Sequence, residues 1–186
     1  MLQSSTLKFL RQLSKNNNRE WFNTNKHQYE AAKNDYEQFV DRLIPAIEKF
    51  DKSVRGLKAK DCSFRIYRDV RFSKNKAPYK TNFGAYIIAG GKKSMKPGYY
   101  FHVQPGGESF VAGGAYMPSS EVLAAIRQEI DYNLKEFEGI LKSKTFSKIF
   151  QEARRHRSED YAKRICEGPQ GYRLFETQGF PCGAQD

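Results

Sequence analysis

The sequence predicts an α+β fold in a single domain. Apolar residues recur at three- and four-residue spacing near both ends of the chain, which is typical of helices. Residues 64–116 instead carry short β-branched and aromatic runs separated by Gly and Pro, which is typical of strands. Because the two patterns are segregated and do not alternate, the strands should form an antiparallel sheet. We expect one domain over residues 1–151, since a chain of 186 residues suffices for one core.

Helices are predicted before the strands. A short helix can begin at a cap provided by Ser4 or Ser5 and end at the asparagines of residues 16–18. A longer helix should follow Asn18, because one apolar stripe continues from there to Phe50. These N-terminal helices supply one layer of the predicted fold.

An antiparallel β-meander and one long C-terminal helix should follow. The strand-like runs are FRIY, NFGAYIIA, GYYFHVQ and ESFVAGGAY, with turns at GGKKSMKPG and PGG. Pro118 and Ser119 then open a helix whose apolar stripe runs from Leu123 to Leu141. Its length is enough to cover one face of the sheet.

Residues 152–186 form an atypical tail in this prediction. The tail has no sustained period and ends in EGPQGYRLFETQGFPCGAQD, which is typical of a poorly ordered terminus. A second interpretation is that the tail is read out of frame. With permitted codons, residues 167–186 shifted by one nucleotide can give KAPKGIDYLKHKDFLVVHK, which contains a strand-like DFLVV. The nucleotide sequence decides between these interpretations.

Composition argues against several classes of protein. No apolar stretch approaches the ~20 residues of a membrane-spanning helix, and the amino end lacks a signal-peptide pattern. We therefore expect a cytoplasmic protein that does not associate with membranes. The three cysteines are far apart and lack CxxC spacing, so neither a disulfide framework nor a zinc site is expected. No metal site is predicted, and no particular cofactor is indicated.

Positive charge is concentrated in one part of the chain. The net charge is +11, and residues 55–96 hold twelve Lys and Arg but only two Asp. Such a local positive field attracts anionic partners. The segment is therefore the first place to look for a binding site.

The densest group of charged residues lies between residues 65 and 80. If this segment begins as a strand, Arg68 shares the apolar face with Ile66 and Val70. A buried Arg68 should then pair with a carboxylate or mark a bulge. Arg65 would lie on the opposite face, where guanidinium groups suit phosphate or carboxylate. The predicted anion-binding residues are Arg65, Arg68, Arg71, Lys76 and Lys80.

Two residues of the same segment are candidates for catalysis. Asp69 can accept a proton or hold an arginine, and Tyr79 can act as a general acid or base. Whether the protein is an enzyme stays open, because the sequence has no visible pair of nucleophile and base. An alternative is an Arg–Asp network that joins sheet to helix without any ligand.

Two segments of the chain resemble a known family. RIYRDVRFSKNKAPYKTNFGAYI and the FLxxLxxNNxREWF pattern of residues 9–22 are similar to the bacterial and fungal family called domain of unknown function 2461. Its RxxRDxRF signature, followed by a Lys and a Tyr, is matched by Arg65, Arg68, Asp69, Arg71, Phe72, Lys76 and Tyr79. The resemblance covers about residues 5–150 and implies a single α+β domain. It implies no reaction, cofactor or partner.

Two functions of different classes fit these observations. The first is binding of a small phosphorylated or carboxylated ligand by the arginines. The alternative is a nucleic-acid-binding module that uses a basic, aromatic sheet and recruits Lys92, Lys93 and Lys96 as well. The aromatic residues of that sheet would be Tyr67, Phe72, Tyr79, Phe83, Tyr86, Tyr99, Tyr100 and Phe101.

Overall fold

The computed structural model of the protein describes residues 1–92 and 94–149, together with the two-residue strand Phe175–Glu176. Helices and an antiparallel sheet are segregated along the chain, which confirms the predicted α+β class. Apart from Phe175–Glu176, the predicted tail of residues 152–186 lies outside the described residues. None of the helices in the described part is both long and apolar enough to cross a membrane.

The helices of the helical layer precede the strands in the sequence, as predicted. Asn18 caps one helix by accepting a hydrogen bond from the Trp21 N–H over 2.9 Å. Asn25 ends that helix, and its side chain donates to the Trp21 carbonyl oxygen over 2.9 Å. The apolar stripe after Asn18 is therefore divided between two helices. The elements of this layer are α1 (Ser4–Lys15), α2 (Arg19–Thr24), α3 (Lys26–Glu48), a 3₁₀ turn (Lys52–Val54) and α4 (Ala59–Cys62).

Three of the four predicted strand runs form the sheet. Every neighbouring pair of strands is antiparallel and the order is sequential, so the sheet is the expected meander. A two-residue strand extends it at the β3 edge. The strands are β1 (Phe83–Ile87), β2 (Gly98–Val103), β3 (Phe110–Gly114) and β4 (Phe175–Glu176).

The first predicted run, FRIY, is not a strand. Its only strand-like contacts are single antiparallel pairs, Ser63 with Ala85 and Tyr67 with Tyr79. The chain folds back on itself here, and the Arg68 N–H donates to the Pro78 carbonyl oxygen. Since proline has no N–H to donate, the ladder does not continue past this point.

One face of the sheet packs on helix α3. Tyr36 of α3 stacks on Phe83 with ring centroids 5.2 Å apart, and its hydroxyl donates to the Phe101 carbonyl oxygen over 3.1 Å. Ala85 and Ile87 of β1 are fully buried on the same face. This face of the sheet therefore belongs to the hydrophobic core, and the opposite face does not.

The prediction of one long C-terminal helix is wrong, because two shorter helices occupy that segment and a third follows it. The Asn133 side chain donates to the Glu129 carboxylate over 2.8 Å, and the Ser143 hydroxyl accepts from the Phe146 N–H over 3.2 Å. Asn and Ser interrupt helices because their side chains compete for hydrogen bonds near the backbone. No residue of the first two helices is fully buried. The three are α5 (Ser120–Tyr132), α6 (Leu134–Lys142) and α7 (Lys144–Ile149).

Thr6 joins α1 to α3 through a buried hydrogen bond. Its hydroxyl donates to the Asp35 carboxylate over 2.5 Å, and both residues are buried. We expect Thr6→Val to lower the free energy of unfolding by about 1–3 kcal/mol, because a buried carboxylate loses a donor. Urea unfolding measures the change. Ser5→Ala, at the exposed neighbouring position, should leave the midpoint unchanged, and an equal loss in both variants would contradict the prediction.

Candidate functional site

The basic segment forms a loop, residues 63–82, that is fixed to the helical layer at its base. The Lys80 N–H donates to the Ile66 carbonyl oxygen over 2.8 Å and joins the two arms. The Asn17 carboxamide accepts from the Tyr79 N–H over 3.1 Å and donates to the Tyr79 carbonyl oxygen over 2.9 Å. The Asn17 side chain, which lies between α1 and α2, thus bonds both the backbone N–H and the backbone carbonyl oxygen of Tyr79.

Aromatic stacking holds the same point of the loop. Tyr79 is 5% exposed and stacks on the buried Phe22, with ring centroids 3.9 Å apart and planes 13° apart. Tyr67 lies beside it at 5.5 Å. Burial, and to a smaller extent Tyr67, raises the pKa of Tyr79, so its hydroxyl stays protonated at neutral pH. The catalytic role of Tyr79 stays a prediction.

Arg68 holds the two arms of the loop together. Its guanidinium donates to the Ala77 carbonyl oxygen over 3.0 Å and to the Ser73 hydroxyl over 3.3 Å. The expectation of a carboxylate partner or a bulge is not met, because a half-buried arginine here is satisfied by a carbonyl and a hydroxyl. These contacts turn the Arg68 side chain toward the loop itself.

The tip of the loop, residues 69–77, is also internally bonded. The Lys76 ammonium donates to the Val70 carbonyl oxygen over 3.1 Å and to that of Arg71 over 3.5 Å. The Ala77 N–H donates to the Asn75 side-chain oxygen over 2.9 Å. The exposed side chains of the tip are therefore attached to a backbone that is held by hydrogen bonds.

Asp69 and Arg71 form an exposed ion pair within the tip. Arg71 Nη2 lies 2.7 Å from Asp69 Oδ2, and Arg71 Nε lies 3.0 Å from Oδ1. The Arg71 side chain, then its backbone N–H, and also the charge of Arg65 hold the pKa of Asp69 below its usual range. This pair is confined to the tip, so it does not join sheet to helix. The catalytic role of Asp69 stays a prediction.

Two cations lie near the ring of Phe64, which is 40% exposed, and a third, Arg65, follows it directly in the chain. The Lys80 and Lys92 ammonium groups lie 5.4 and 6.0 Å from the ring centroid. Burial, together with the nearby charge of Arg65, lowers the pKa of Lys80. Across residues 1–92 and 94–149, no ion pair includes any of the three. We call Arg65, Lys80, Lys92 and Phe64 the Phe64 cluster.

The structure brings together two of the five predicted anion-binding residues. Arg65 and Lys80 lie on the paired arms of the loop, where the Lys80 N–H bonds to the Ile66 carbonyl oxygen. Arg68, Arg71 and Lys76 instead bond within the loop. Sequence reasoning named Lys92 only in the nucleic-acid alternative and did not place it beside Phe64, since Lys92 follows β1 in the chain. Its place follows from long-range contacts, because its ammonium donates to the Ser63 carbonyl oxygen over 2.6 Å.

The Phe64 cluster adjoins the outer face of the sheet. The rings of Phe64 and Tyr100 lie 6.3 Å apart, and the Tyr100 hydroxyl lies 3.0 Å from His102 Nδ1. A β-carbon on Gly84 would lie 2.8 Å from the Tyr100 hydroxyl oxygen and 3.3 Å from the ring. The absence of a side chain at Gly84 therefore makes room for Tyr100.

Comparison with known families identifies the chain. Over residues 5–175 the sequence matches the family described as "Conserved hypothetical protein (DUF2461)". The chain belongs to this family. The match extends beyond the expected residues 5–150. The RxxRDxRF residues on which the resemblance partly rests lie in the 63–82 loop described above. Neither the curated proteins nor the solved structures provide a match.

Asn17 should determine how firmly the loop is attached. We expect Asn17→Ala to lower the free energy of unfolding by about 1–3 kcal/mol and to accelerate amide hydrogen exchange at Tyr79, because two hydrogen bonds are lost. Asn23→Ala is the control, since Asn23 is exposed on α2. Unchanged exchange at Tyr79 in the Asn17 variant would contradict the attachment.

Arg71 should control the ionisation of Asp69. Arg71→Gln should raise the pKa of Asp69 toward its ordinary value, because the largest cause of its lowering is removed. Since the folded-state pKa is lowered, the pair stabilises the fold above the ordinary aspartate pKa, and this stabilisation is lost as pH falls through the lowered pKa. Carbon NMR of the carboxyl group measures the titration. Lys74→Gln, which removes a charge from the same tip, should shift this pKa much less.

Proposed function

We propose that the protein binds a phosphorylated or carboxylated ligand at the Phe64 cluster. The observation that carries this proposal is the position of the Lys80 and Lys92 ammonium groups, 5.4 and 6.0 Å from the ring of Phe64, the residue directly before Arg65. The Lys80 N–H also bonds to the carbonyl oxygen of Ile66, the residue directly after Arg65. Arg65 and Lys80 therefore lie on adjacent, paired arms of the loop. Neither group pairs with an acidic side chain within the described ranges, 1–92 and 94–149. An anion between them would supply the compensating negative charge.

Each cation of the Phe64 cluster would have a different role in binding the ligand. Arg65 is exposed and takes part in no ion pair with the described residues, so its guanidinium is available for a bidentate contact with phosphate or carboxylate. Lys80 is half-buried, and partial removal from water strengthens its attraction for an anion. Lys92, already bonded to the Ser63 carbonyl oxygen, would add a fixed charge at the edge.

The remaining cations of the loop would act at longer range. Arg71 is paired with Asp69, and Lys76 is hydrogen-bonded to carbonyl oxygens of the tip. Direct contact of either side chain with the ligand would therefore compete with these bonds. Arg68 supports the proposal by fixing the loop that carries Arg65 and Lys80. Binding at the cluster therefore depends on a preorganised loop.

The proposal is for binding and includes no chemical step. Asp69 is ionised and paired with Arg71, which leaves it without a proton to donate near neutral pH. Burial raises the pKa of the Cys62 thiol to about 11, so this cysteine is not an activated nucleophile. What the described side chains supply is positive charge in a fixed arrangement.

The test is calorimetric titration with inorganic pyrophosphate. We expect the double variant Arg65→Gln/Lys80→Gln to bind about tenfold more weakly or worse, because charge-assisted contacts are lost. The control is Arg11→Gln/Lys33→Gln, which also removes one arginine and one lysine charge, but from α1 and α3. In the parent protein, pyrophosphate should also raise the pKa of Lys80, measured by NMR of its side chain.

Either of two results would overturn the proposal. One is the absence of pyrophosphate binding by the parent protein at ~50 mM salt, where electrostatic contacts are weakly screened. The other is equal weakening in both double variants, which would mean that net charge alone governs binding. Circular dichroism of both variants verifies that they remain folded.

A further inference from the structure

The tip of the loop carries an aromatic side chain that the fold does not use. Phe72 is 95% exposed, the highest value among the described aromatic residues. The Arg71 guanidinium lies over its ring, 5.8 Å from the centroid. With one face of the ring near Arg71 and almost the whole residue in water, the other face is open to a planar partner.

We infer that this tip and the Phe64 cluster together bind single-stranded nucleic acid, with Phe72 stacking on a base and the cluster holding phosphates. The inference rests on the proposed function, since it names the class of anion that the cluster receives. Both parts belong to one loop, whose arms are joined between the cluster and the tip by the antiparallel pair Tyr67 with Tyr79 and by the hydrogen bond from the Arg68 N–H to the Pro78 carbonyl oxygen. Basic grooves combined with stacking aromatics are the usual means of binding single strands.

The internal bonds of the tip favour such a role for Phe72. Lys76 and Arg68 donate to carbonyl oxygens on either side of it, and the Ser73 N–H donates to the Val70 carbonyl oxygen over 3.4 Å. Because the backbone that carries Phe72 is already fixed, less backbone freedom is lost when the side chain binds a base. Lys74 and Lys76, both exposed, add positive charge beside the ring.

The loop, and not the sheet, is the stacking surface in this inference. Tyr79 and Phe83 are buried, and Tyr99 and Phe101 pack against the hydrophobic core, so these four cannot receive bases. A single strand fits better than a duplex because its base faces are accessible. A membrane surface fits less well, since one phenylalanine among several cations offers little apolar area.

The experiment is fluorescence anisotropy with labelled oligothymidylate of about 20 nucleotides, long enough to span the tip and the cluster. Phe72→Ala should weaken binding by about 5- to 150-fold, the loss expected for one stacked base. Phe50→Ala is the matched control, because Phe50 is 72% exposed and lies after α3, away from the loop in the chain. Both variants should unfold like the parent protein.

Further measurements separate this inference from the proposed function. Phe72→Ala should bind pyrophosphate as the parent protein does, because Phe72 is not part of the Phe64 cluster. If the parent protein binds pyrophosphate but not oligothymidylate at ~50 mM salt, the nucleic-acid inference fails and anion binding stands. If it binds neither, both proposals fail.

Three other results would also overturn the inference. Equal affinity of the Phe72 and Phe50 variants for oligothymidylate would remove the stacking role. If duplex DNA binds as tightly as the single strand, Phe72 does not stack on an exposed base. Phe72-dependent binding to phosphatidylserine vesicles, without oligonucleotide binding, would identify a lipid surface instead.

Discussion

The stack of Tyr79 on Phe22 fixes the basic loop to the helical layer, and the arrangement of the cations depends on it. Tyr79 stands where the returning arm of the loop meets its outgoing arm, directly before Lys80. The Asn17 carboxamide bonds both backbone groups of Tyr79, which sets the position of the arm along α2. Two contacts with the helical layer, each between residues far apart in the sequence, therefore fix a loop that has no strand of its own.

Local hydrogen bonding explains how so dense a positive segment can fold. Backbone carbonyl oxygens accept from Arg68 and Lys76, and a carboxylate accepts from Arg71. These contacts offset part of the mutual repulsion within the loop. The cations that take part are consequently less available to an external anion than their number in the sequence indicates. Within the described residues, Arg65, Lys74 and Lys80 take part in no ion pair, and Arg65 and Lys80 are the two that belong to the Phe64 cluster.

The sequence was informative where local periodicity decides the structure. The α+β class and the β1 to β3 meander follow from apolar spacing and from Gly and Pro turns, and these predictions are confirmed. Contacts between residues far apart in the sequence determine the conformation of FRIY and the position of Lys92. FRIY has strand-like composition but pairs with its own returning arm, and Lys92 reaches Ser63 only because the sheet brings them together. The loop was identified as the candidate site, whereas the bonding that separates Arg68 and Lys76 from Arg65 and Lys80 required three-dimensional contacts.

The close approach of Tyr100 to Gly84 has an evolutionary consequence. A side chain at position 84 would occupy the space of the Tyr100 hydroxyl, so it would require a smaller residue at position 100. Tyr100 also contacts Phe64, and its loss would remove packing from beneath the cationic cluster. Related sequences with a side chain at position 84 should therefore carry a residue smaller than Tyr at position 100, whereas sequences that keep Gly84 can vary at position 100.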